Sequence, residues 1–115
     1  RSNQDSVGIL SSQDMALLIV ADGIGGHRMG DEASKIVVST IIENCKNSKS
    51  ITVDQVYQSI LLANSKVRAL NVGAGTTLCL GLINKNKLNV IGLWYQINSG
   101  VIKFLDNNDN FIVLD

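Results

Sequence analysis

The sequence predicts an α+β domain in which a pair of antiparallel helices covers one face of an antiparallel sheet. Three observations carry this: a hairpin-like pair of apolar runs at the start, two segments of helical period in the middle, and a return to strand period from residue 76 onward. The length of 115 residues sets one domain, 1–115, and a hydrophobic fraction of 45% is ample for a core.

Residues 5–12, DSVGILSS, and residues 15–21, MALLIVA, read as two strands joined by the polar residues 11–14. A turn centred near Ser12 and Gln13 brings Asp5 close to Asp22 at the open end of the hairpin. The second run has no polar alternation, which predicts burial on both faces and an interior position in the sheet. The glycine-rich stretch DGIGGHRMG (22–30) follows, then a helix whose apolar residues are Ala33, Ile36, Val37, Ile41, Ile42 and Cys45, with Asp31 and Glu32 in its first turn. A second helix is expected from Thr52 to Leu70. Thr52 and Gln55 have capping-box spacing, and Val53, Val56, Tyr57, Ile60, Leu61, Val67 and Leu70 form the apolar stripe. Residues 76–83, 88–95, 101–105 and 111–115 then read as a meander, with turns at 84–87, 98–100 and 106–110. The chain has no proline, so these turns rest on Gly, Asn, Asp and Ser.

Ten basic residues balance ten acidic ones, and no basic run occurs, which gives no electrostatic basis for a nucleic-acid partner or an acidic membrane surface. The apolar stretch Met15 to Ala21 is far too short to cross a bilayer. Two cysteines, Cys45 and Cys79, make no disulfide framework, and a reduced cytoplasmic setting is expected.

The chemistry concentrates at Asp22. The glycine-rich loop matches neither phosphate-binding fingerprint, since Arg28 stands where a dinucleotide loop needs its third glycine and no Gly-Lys-Ser/Thr follows. A purely structural loop and a metal site remain open on residue type. Two aspartates placed across a strand pair repel one another unless a cation lies between them, and oxygen-only donors suit Mg²⁺ or Mn²⁺ better than zinc. Arg1 is placed to reach the same end, where its guanidinium could grip a phosphate.

RSNQDS (1–6), VADGIGGHRMGDEAS (20–34) and GAGTTL (73–78), in that order, resemble the metal-dependent protein serine/threonine phosphatases of type 2C, particularly their bacterial form. The resemblance implies a reduced type-2C-like β-sandwich with the helix pair on one sheet. It further implies Mn²⁺ or Mg²⁺ as cofactor, a phosphorylated protein as substrate, and attack on phosphorus by a metal-activated water. On the matching positions it implies Asp22 and the Gly23 carbonyl as metal ligands, Asp5 and Gln4 in the surrounding shell, Arg1 as the phosphate-binding group and His27 as a candidate proton carrier. Where the family has Val-Gly-Asp-Ser-Arg, residues 90–95 read VIGLWY, and a later Asp-Gly motif is missing. The last segment aligns in two ways. In one, Asp109 is the family's closing acidic ligand and completes a two-ion site; in the other, residues 100–110 match a mid-domain stretch. These departures leave a non-catalytic descendant, a pseudophosphatase, as the alternative to an active enzyme. An uncovered apolar sheet face is expected to support a homodimer.

Overall fold

A computed structural model describes residues 4–24, 27–70, 73–85, 87–96, 101–105 and 111–114. The elements run β1 (Asp5–Ser12), β2 (Met15–Ile24), α1 (His27–Cys45), α2 (Val53–Ala69), β3 (Gly75–Asn84), β4 (Lys87–Gln96), β5 (Val101–Leu105) and β6 (Phe111–Leu114). All six strands form one antiparallel sheet in the order β1-β2-β3-β4-β5-β6. Because every strand pairs with its chain neighbour, short connections suffice everywhere except between β2 and β3, where the two helices are inserted. The α+β architecture with a helix pair on one sheet is as expected, and the described strands supply one sheet of the expected sandwich.

The register explains which side the helices cover. Leu10, Leu17 and Leu82 stand in one cross-strand row, and Gly8, Ile19 and Leu80 in the next. Together with Met15, Ala21 and Leu78 these inward positions meet Ala33, Val37, Ile41 and Cys45 of α1 and Val56, Ile60, Ala63 and Val67 of α2 in a single core. Ile41, Ile60 and Leu80 are each at most 1% exposed. The helical stripes read from the sequence therefore coincide with the buried faces.

Three expectations are corrected. Helix α1 starts at His27, a turn before the acidic pair, so Asp31 and Glu32 lie past its first turn, which contains no acidic residue. The reason is local: Gly30 is a helical residue whose missing side chain lets the first turn lie against β2, so the glycine run is shorter as a loop than it reads. Strand β2 is covered on one face only; Leu17 and Ile19 are at most 1% exposed, whereas Leu18 and Val20 are 40% and 52% exposed. The capping box at α2 is half formed. Thr52 accepts from the Gln55 backbone N–H at 3.0 Å, but the Gln55 side chain donates instead to Ser48 Oγ at 2.5 Å and to the Asn44 carbonyl at 3.3 Å. That detour ties the start of α2 to the end of α1. Asn44 Nδ2 reinforces it by donating to Ser59 Oγ at 2.6 Å.

The hairpin turns are tight. Ser12 pairs with Met15 and Asn84 with Lys87. Lys85 enters its turn at φ 50°, the left-handed region that two-residue hairpins demand. Its N–H donates to the Asp14 carbonyl at 2.9 Å, joining the two turns at the same end of the sheet. The turns expected at 98–100 and 106–110 lie outside the described residues.

Candidate metal centre

Asp5 and Asp22 are direct partners across the β1–β2 ladder, at the end away from the hairpin turn. The Gly23 N–H donates to the Gln4 carbonyl at 3.0 Å, which makes Gln4 and Gly23 a hydrogen-bonded pair. The next pair along, Asp5 with Asp22, is then a non-hydrogen-bonded one, in which side chains on the same face stand closest, with Cβ atoms about 4.5–5.5 Å apart. Both residues are exposed on the face away from the helices.

The electrostatics follow from that placement. The Asp5 carboxyl is held above its ordinary range, chiefly by a hydrogen bond with the Asp22 carboxyl, with desolvation and the repulsion of the Asp22 charge adding in the same direction. In the absence of a cation, Asp5 therefore holds its proton more tightly than an isolated carboxyl would.

The backbone around the pair is fixed from two sides. Thr77, in line with Asp22 on β3, donates its hydroxyl to the Asp22 carbonyl at 3.3 Å. A Cβ on Gly23 would fall on the Gly30 carbonyl, and a Cβ on Gly30 would strike the Gln4 side-chain oxygen. Only glycine at both positions lets the first turn of α1 pack against the end of β2. The start of α1 is thereby held against the strand end, on the opposite side of the sheet from the two carboxyl groups. Gly30 was not singled out in the sequence. It closes the glycine-rich run 22–30, so in sequence it reads as loop, and only its contact with Gly23 shows it as helical.

Of the expected site residues, the structure brings together Asp5, Asp22, Gly23 and Gln4. His27 opens α1, three residues after the end of β2, and its side chain is not described. Arg1 lies outside the described residues. So does Asp109, and the strands that flank it in sequence, β5 and β6, are at the opposite edge of the sheet from β1. Among the described residues no cluster of three or more His, Cys, Asp or Glu side chains forms. Two carboxylates and a main-chain carbonyl are hard oxygen donors, and a divalent cation would relieve the repulsion between carboxylates paired across the strands. The donor set fits Mg²⁺ or Mn²⁺, with water filling the remaining positions.

An antiparallel sheet with a helical hairpin on one face is the fold of a class of protein phosphatases, and paired aspartates stand at one end of its β1–β2 pair. Residues 1–114 match the family described as protein phosphatase 2C, and the chain belongs to that family. It is 26% identical over 127 residues to the serine/threonine phosphatase stp of Listeria monocytogenes serotype 4b (strain F2365), covering 96% of this chain and 50% of that protein. It is 30% identical over 99 residues to the serine/threonine phosphatase stp of Listeria welshimeri serovar 6b, covering 75% of this chain and 39% of the relative. The chain thus spans about half the length of the curated relatives it matches. Among solved structures, the fold resembles the catalytic domain of the serine/threonine protein phosphatase PstP in complex with two manganese ions, with TM-score 0.67, 23% identity, and coverage of 99% of this chain and 49% of that one. It also resembles a bacterial serine phosphatase bearing an R161E mutation, with TM-score 0.69, 22% identity, and coverage of 99% and 54%.

Proposed function

We propose that this chain takes part in Mn²⁺- or Mg²⁺-dependent hydrolysis of phosphoserine or phosphothreonine in proteins. The observation that carries it is the facing of Asp5 and Asp22 beside the Gly23–Gly30 contact. The bound cation would supply an activated water and neutralise phosphoryl oxygens. Asp22 would anchor it together with the Gly23 carbonyl, and Asp5 would complete the ring of acceptors directly or through water. Gln4 would hold the Gly23 backbone in place, Arg1 would bind the phosphate and His27 would carry a proton. A second ion depends on Asp109, and the number of ions is a matter for titration. A cytoplasmic setting is part of the same proposal.

A second reading is favoured by one observation. Residues 90–95 are VIGLWY where the family carries an acidic residue, and the described carboxylates at the site number two, Asp5 and Asp22. On that reading the chain binds a divalent ion or a partner without turnover. An assay of phosphate release from a phosphothreonine peptide in Mn²⁺ separates the two. The enzymatic reading expects release that is abolished by chelator and by Asp22→Asn, and a folded chain that binds Mn²⁺ without any release supports the second.

A further inference from the structure

Strand β1 is an edge strand whose neighbour among the described residues is β2. Since Gln4 turns its carbonyl toward Gly23, the alternation of the ladder turns the backbone groups of Ser6, Gly8 and Leu10 toward β2 as well. The N–H and C=O of Val7, Ile9 and Ser11 therefore point to the open edge. Natural edges are blunted by proline, by lysine or by bulges. Over residues 5–12 the chain has no proline and no basic residue, and its pairing to β2 runs without a bulge. Val7 and Ile9 are 70% and 68% exposed, the two most exposed large apolar side chains described.

Above this edge runs a groove of about 630 Å³ between β1 and α1, lined by Gly8, Val38 and Ile42 at its floor and by Lys35, Ser39 and Glu43 on the helix wall. Gly8 makes the groove shallow where strand and helix meet, because a Cβ there would come within 2.7 Å of Val38 Cγ1. Lys35, Ser39 and Glu43 succeed one another every four residues and so form one stripe of α1. The stripe is basic at one end, acidic at the other, and centred on Ser39. The side chains of Lys35 and Glu43 are 68% and 66% exposed, each with a near partner in sequence: Lys35 with Asp31 of α1 at 2.9 Å, Glu43 with Lys46, one residue past the end of α1, at 2.8 Å.

We propose that the occupant of this edge and groove is a second copy of the chain, docked through a two-fold axis beside Gly8. Antiparallel pairing about Gly8 sets Val7 opposite Ile9 of the second copy, and these are residues whose backbone groups face outward. The same axis runs the two α1 helices antiparallel, so that Lys35 meets Glu43 of the second copy and Ser39 meets its own counterpart. The surface is self-complementary in hydrogen bonding, apolar contact and charge at once, as an isologous interface requires. The product is a continuous sheet of two copies with both α1 helices on one side. It differs from stacking through the outer sheet face, because Cys79, at the middle of that face, takes no part. The inference is independent of any phosphatase activity.

Sedimentation velocity of the full 115-residue chain and its variants tests it. The wild-type chain is expected to sediment as a dimer. Lys35→Glu or Glu43→Lys alone sets like charges against each other twice per dimer and weakens association about tenfold or more, while the double exchange restores it. Ile9→Pro removes an N–H that the β1–β2 ladder does not use, so it should abolish the dimer while leaving the far-ultraviolet circular dichroism of a folded chain. Cys79→Lys should leave the dimer intact. A wild-type chain that stays monomeric at millimolar concentration overturns the proposal. So does a dimer that dissociates on Cys79→Lys, or one indifferent to both the single charge reversals and Ile9→Pro.

Discussion

The two faces of the sheet are built from similar residues and have opposite fates. On β2, Leu17 and Ile19 point to the helices and are at most 1% exposed, whereas their neighbours Leu18 and Val20, equally apolar, are half exposed on the other side. On β3, Leu78 and Leu80 are buried and Cys79 between them is exposed. What separates the faces is the inserted helical hairpin, not composition. The inner face is closed by the chain itself and carries the fold's stability, whereas the outer face carries the two aspartates of the candidate site at one end of an apolar surface.

That contrast can be broken or sharpened by experiment, and truncations give the largest contrast. Leu80→Ala should lower the unfolding free energy by about 2–5 kcal/mol, since it removes buried methyl groups and leaves a cavity among α1, α2 and β2. Cys79→Ser, one residue away on the outer face, should change it by less than about 0.5 kcal/mol. Urea denaturation of both variants checks this, and similar effects would mean that the outer face is also packed in solution.

Adding atoms at the seam between helix and sheet should come next. Gly23→Ala forces a methyl into the Gly30 backbone and should cost about 1–3 kcal/mol of stability, read as a lower denaturation midpoint. Gly8→Ala meets only the movable Val38 and Ile42 side chains and should cost less. The reverse order would place the tight contact of α1 at the middle of β1 instead of beside Asp22.

The smallest effect is electrostatic. In metal-free protein Asp5 holds its proton more tightly when folded than when unfolded, because of Asp22. The folded state then binds more protons across the interval between the ordinary and the raised value. This contribution to stability is present at low pH, is lost as pH rises through that interval, and is constant above it. Thermal melts across this range should show the decline in the wild type and not in Asp5→Asn.

Much of this was legible in the sequence. The apolar periods of α1 and α2 gave their buried faces because a helix pair on a sheet leaves each helix one covered side. The position of a short polar turn fixed the hairpin register closely enough to set Asp5 against Asp22, since each added residue of a strand moves its partner by one. The exposure of Leu18 and Val20 was not legible, as an unbroken apolar run is the same whether a strand is covered on one side or two. The start of α1 was missed for a different reason: glycine is a weak helix former, and only the close approach of Gly23 and Gly30 explains why the helix begins before it. Arg1 and Asp109 were readable only through resemblance, and neither is among the described residues.

The account turns on whether Asp22, with Asp5 and Gly23, grips a divalent ion. Isothermal titration of Mn²⁺ into the chelator-treated chain, with Asp22→Asn alongside, tests this most directly. The account predicts saturable binding by the wild type that is lost in Asp22→Asn while that variant keeps its fold. Absence of binding to the folded wild-type chain, or equal binding by both, would contradict it.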